Sequence, residues 1–89
     1  MHDQSTADRR GLLAALFAAV VTARETERTQ RHQAATLANS TALSQAREST
    51  LRALLAYAAA IEALNWPVPR EILADIRMHQ GIRAYKAAP

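Results

Sequence analysis

The sequence predicts an all-α fold: an antiparallel helical hairpin of two long helices plus a short C-terminal helix, with two hairpins dimerising into a four-helix bundle. Three observations carry that prediction. Two apolar blocks, LLAALFAAVV and LRALLAYAAAIEAL, repeat large side chains every three or four residues, the spacing of one helix face. Strand signals are missing, with no sustained two-residue alternation and few β-branched residues apart from Thr. The strong breakers, Pro67 and Pro69, stand together after the second block, so the long stretches before them are open to helix.

The first helix is expected over residues 6–37. Ser5-Thr6-Ala7-Asp8 has the spacing of a capping box with Asp in place of Glu, a hydroxyl for the free amides and a carboxylate for the positive end of the dipole. Leu13, Leu16, Phe17, Val20 and Val21 then recur at three and four, with Ala filling most positions between them up to Ala23. Gly11 costs a little near the start. From Arg24 to Gln33 no side chain is apolar. Continuing the stripe at 100° per residue nevertheless puts Arg24, Glu27, Arg28 and Arg31 on the face of Leu13, Phe17 and Val20, so the seam turns polar halfway up. Glu27 with Arg31, and Glu48 with Arg52, have the spacing of favourable ion pairs one turn apart, each worth ~0.2–0.5 kcal/mol. The upper half of the hairpin is therefore expected to be a weakly held protrusion.

The turn between the long helices is expected at Leu37-Ala38-Asn39-Ser40-Thr41, with Asn39 ending one helix and Ser40 or Thr41 capping the next. A reversal at residue 38 sets Leu13 against Ile61 to Leu64, Val20 against Leu54 to Ala58, and Arg28 against Glu48. The second helix, 41–65, carries Leu43, Thr50, Leu51, Leu54, Tyr57, Ala58, Ile61 and Leu64 on one face. It stops at Asn65-Trp66-Pro67-Val68-Pro69, where two prolines exclude helix and push the residues before them to extended geometry. The third helix is expected over 69–80, with Pro69 first, Glu71 in the opening turn, and Ile72, Leu73 and Ile76 as its apolar face. Gly81 is expected in the left-handed position after its last turn, with Ile82 packing back on Ile76, and 81–89 as a frayed basic tail.

Eighty-nine residues make one domain, 1–89, and a chain of this size buries a modest fraction of its surface. Apolar residues are 49% of the chain, but Ala supplies many of them and aromatics are 4%, so the core is thin and its helices can approach closely. The net charge of +3 gathers toward the last quarter, where Arg70, Arg77, Arg83 and Lys86 outnumber Glu71 and Asp75. The absence of Cys removes disulfides, thiolate chemistry and Cys-based zinc sites.

Each apolar block holds more large residues than one neighbouring helix covers, and a short third helix shields few of them. Burying one such Leu or Ile is worth ~1.5–3 kcal/mol, so a partner is expected, most simply a second copy. The interface is assigned to Leu13, Leu16, Phe17, Val20, Leu54, Tyr57 and Ile61, with Trp66 either anchoring a partner or plugging the open end of the bundle. Arg24, Arg28, Arg31, Arg77 and Arg83 form a charged recognition surface giving orientation and selectivity. The function expected is that of a non-catalytic protein-interaction module of the regulatory adaptor, inhibitor or chaperone type.

The alternative is a small nucleic-acid binder using Arg24, Arg28 and Arg31 on phosphates, with Arg70, Arg77, Arg83 and Lys86 as a second patch and Tyr85 stacking; Glu25, Glu27, Glu71 and Asp75 interrupt the basic stripes and weaken it. A third reading makes the protein secreted or membrane-anchored through residues 1–23, since Arg9-Arg10 precede an apolar run and Val21-Thr22-Ala23 resembles a cleavage site. Asp3 and Asp8 oppose that signal, the run falls short of the roughly 20 apolar residues a span needs, and a cytoplasmic location is expected. His2, His32 and His79 lie far apart and none has a carboxylate or a second His three or four residues after it, so they read as surface residues. No nucleophile elbow, glycine-rich phosphate loop or paired carboxylates occur, so neither an enzyme nor a cofactor is expected.

Overall fold

The computed structural model describes the backbone of residues 2–33 and 37–87 and the side chains of residues 8–33 and 40–83. Within them the chain forms three helices, α1 (His2–Gln33), α2 (Leu37–Ala63) and α3 (Arg70–Ala87), and no strand. α1 and α2 run antiparallel. Phe17 lies against Tyr57 with ring centroids 5.5 Å apart, and Val20 shares a core cluster with Leu54, within two residues of the register the sequence predicts.

The helix ends depart from expectation in instructive ways. α1 starts at His2, so the Ser5-Thr6-Ala7-Asp8 box lies inside the helix and its capping role does not arise. α2 starts at Leu37, which places Asn39, Ser40 and Thr41 in its opening turns and not in a turn between helices; residues 34–36 lie outside the described residues. At the other end of α2, Asn65 adopts φ 59°, the Asn65 amide donates to the Glu62 carbonyl at 2.9 Å, and the Trp66 amide reaches back to Ile61 at 3.3 Å. This pair of bonds is the Schellman ending, with Asn in the left-handed position.

Pro69 stands one position earlier than expected. Its carbonyl accepts from Ile72 at 3.0 Å and Leu73 at 3.2 Å, so it is the cap of a helix whose first residue is Arg70. α3 then passes straight through Gly81, which has no positive φ, and continues to Ala87 in place of the frayed tail. Glycine permits a left-handed turn but does not impose one, and the residues around it are ordinary helix formers.

α3 packs antiparallel on α2 and parallel to α1. The core is a cluster of Val20 from α1, Leu51, Leu54 and Ala58 from α2, and Ile72 and Ile76 from α3, with Ala53, Tyr57 and Val68 against it. This core sits beside the upper and middle parts of the hairpin. Below Arg70 there is no third helix, so the lower part of α1 is faced by α2 and by Trp66 of the linker that follows it. The molecule is consequently long, 53 × 24 × 17 Å with a radius of gyration of 15.4 Å, against roughly 12 Å for a compact chain of this length. Its surface of 6547 Å² exceeds by roughly 1400 Å² that of a typical monomer of its mass.

Candidate functional site

The polar stretch of α1 is not a loose protrusion. α3, packed on α2, reaches it through side-chain bonds. Arg24 donates through Nε to Asp75 at 3.1 Å, with a second bond from Nη2 to the same oxygen. One turn higher, the Nε2 of His79 lies 2.8 Å from Glu27 Oε1. The Nδ1 of the same ring is 2.9 Å from the Asp75 carbonyl and 3.5 Å from Oδ1 of its carboxylate. Arg31 reaches down from the turn above and donates to Glu27 Oε2 at 2.7 Å. Thr50 of α2 completes the layer; its hydroxyl meets both the Ala46 carbonyl, at 3.0 Å, and the Glu27 carboxylate, and its single hydrogen serves one at a time.

Glu27, Thr50 and His79 are all buried, so this is a polar layer stacked on the apolar core. Burial alone raises the carboxyl pKa of Glu27. The hydrogen bonds from His79 and Thr50, and the charges of His79 and Arg31, outweigh it and hold the group below its ordinary value of 4.5. Expecting His79 at the surface was therefore an error. It stands three residues after Ile76 and seven after Ile72, on the same face, and that spacing was available in the sequence.

The predicted interface residues divide in two. Val20, Leu54 and Ile61 are buried inside the monomer and add no new area on association. Leu13, Leu16 and Tyr57 are half-buried, while Phe17 is 44% and Trp66 54% exposed. Leu12, which the sequence reading passed over, is 55% exposed beside them. Two shallow grooves mark this lower end. Leu13 and Leu64 line both, Trp66 and Arg10 edge one, Leu12, Ala60 and Ala63 form the other, and Arg9 borders each.

The five predicted recognition arginines also divide. Arg24 is engaged by Asp75, Arg31 by Glu27 and Arg83 by Glu48 at 3.4 Å, whereas Arg28 and Arg77 are exposed. The Glu48–Arg83 pair replaces both pairs expected for Glu48, with Arg28 across the hairpin and Arg52 on its own helix. Tyr85 and Lys86 have side chains outside the described residues. Among the described residues no group of three or more His, Asp or Glu side chains is arranged to hold a metal, and no helix is long and apolar enough to cross a membrane. Comparison with protein-family models, with curated proteins and with solved structures finds no match to this chain.

Proposed function

We propose that the protein is a non-catalytic interaction module, of the adaptor, inhibitor or chaperone type, that binds a protein partner through the lower end of the α1–α2 hairpin. The observation that carries this reading is the missing third helix there: α3 begins at Arg70 and leaves Leu12, Phe17 and Trp66 in water around two apolar grooves. Clustered exposed apolar residues of this size mark interfaces. The surplus surface points the same way, since a stable interface takes about 800 Å² from each partner.

A second copy is the simplest occupant. Two hairpins joined at their lower ends would give four helices in contact, each chain keeping its own α3 on the outside. The nucleic-acid alternative draws less support, because carboxylates of this chain already meet Arg24, Arg31 and Arg83.

Sedimentation at several dilutions tests self-association, and affinity capture from the native cell tests other partners. Leu12→Glu and Phe17→Glu each abolish the complex that is found, while Arg28→Glu leaves it intact. Leu54 is unsuited to this test, since a charge at a fully buried position unfolds the monomer. A monomer at every dilution that also captures nothing in a Leu12-dependent manner overturns the reading.

A further inference from the structure

We propose that the groove between the upper parts of α2 and α3 is a binding site for a small organic carboxylate with an apolar body. This site is separate from the lower end of the hairpin and does not depend on the function proposed there.

The groove is the upward continuation of the α2–α3 seam. Lower down, Leu54 and Ala58 on α2 close against Ile72 and Ile76 on α3. One turn higher the same two stripes carry Ser44, Arg47 and Leu51 on one side and His79 and Ile82 on the other, and the helices leave a cavity of about 290 Å³. The Glu48–Arg83 ion pair bridges the two helices at its edge. A volume near 300 Å³ is the lower bound of small-molecule pockets and too little for a folded segment of protein.

The polar groups around the cavity say which ligand it takes. Both nitrogens of His79 are already engaged, by Glu27 and by the backbone of Asp75. Glu48 is engaged by Arg83. Arg47 is different: no ion pair among the described residues includes it, and its Nε is shut off from water without a hydrogen-bond partner. A guanidinium is always charged and offers donors only, so what it lacks is an acceptor, and an anionic one satisfies the charge as well. Enclosed donors of this kind are costly when left unbonded. The side chain is long, half-buried and lines the groove, so turning its fork into the groove, which the enclosed Nε does not face as it stands, brings it to an acceptor seated there.

Leu51 and Ile82 decide the rest of the ligand. They give the cavity an apolar wall that a bare inorganic anion would leave wet, whereas a short hydrocarbon or ring attached to the carboxylate covers it. A neutral ligand of the same shape covers the wall but leaves Arg47 without its counter-charge.

Titration of the full-length chain with hexanoate, hexanamide and acetate, followed by amide chemical shifts, tests the proposal. Hexanoate is expected to bind at least tenfold tighter than either of the others, with shifts confined to residues 44–51 and 79–83. Arg47→Met brings hexanoate and hexanamide within twofold of each other, and Arg47→Lys retains part of the preference. Ile82→Ala weakens hexanoate without changing acetate, and it carries the test if Arg47→Met fails to fold. Equal affinity for acid and amide, shifts centred elsewhere, no saturable shift, or full preference retained in a folded Arg47→Met chain each overturn the assignment.

Discussion

His79 and Glu27 set a physical problem at the level of single residues, because two oxygen acceptors face one buried ring while a buried carboxylate collects donors from three directions. Pairs of this kind hold orientation more than they add stability, since desolvation offsets most of their attraction. Removing one partner is the damaging change. Glu27→Ala is expected to lower unfolding free energy by about 3 kcal/mol in urea titration, because it leaves the buried Nε2 of His79 without its acceptor. Replacing both, Glu27→Leu with His79→Leu, is expected to recover most of that loss, and the cycle of the natural chain, Glu27→Leu, His79→Leu and the double variant measures the coupling. Acid titration gives the second prediction. The folded Glu27 carboxyl sits below 4.5, so between the unfolded and folded values the unfolded chain binds more protons. Its contribution is complete above 4.5 and is lost as pH falls through the folded value. Between pH 5 and pH 3 the natural chain should therefore lose more stability than Glu27→Gln, as followed by urea midpoints at each pH.

Among the elements, the contrast between Gly81 and Asn65 explains what a sequence reveals about helix ends. Gly81 has the residue type of a left-handed ending and lies in the middle of α3; Asn65 has a second-choice type and makes the Schellman turn. The two prolines after Asn65 force α2 to stop there, whereas nothing after Gly81 forbids another turn. A stop is thus legible where the chain excludes helix, and illegible where a residue only tolerates leaving it. The apolar faces of α1 and α2 were legible for the same kind of reason, because periodicity is imposed by burial. The bonding of α3 to a polar face was not, since a charged stripe looks the same whether it meets water or a complementary stripe one helix away. Only His79, spaced with Ile72 and Ile76, signalled which of the two applied. A third prediction belongs to this scale. Among the described residues, its two chain neighbours and the helix's own backbone aside, nothing comes within 4 Å of a Cβ added at Gly81, so Gly81→Ala is expected to raise stability by ~0.5–1 kcal/mol in thermal and urea unfolding. Asn65→Val is expected to cost ~1–2 kcal/mol by the same assays, as a branched residue is forced to φ 59°.

For the molecule as a whole, shape and stability are one question. A chain whose radius of gyration is 15.4 Å has given up burial that a compact bundle would keep, and its core cluster has one residue from α1, three from α2 and two from α3. Stability of such a molecule responds strongly to anything that covers the lower hairpin, because a ligand of the folded state adds RT ln(1 + [L]/Kd) to it. If a second copy is that ligand, the melting midpoint depends on protein concentration. A hundredfold increase should then raise it by about 5 °C or more, given the small unfolding entropy of a domain this size. Phe17→Glu and Leu12→Glu should flatten that dependence while leaving the dilute midpoint within a few degrees, since both side chains are already largely in water. A midpoint independent of concentration in the natural chain removes the second copy as occupant, and leaves the lower hairpin to a different protein whose addition must then raise the midpoint in its place.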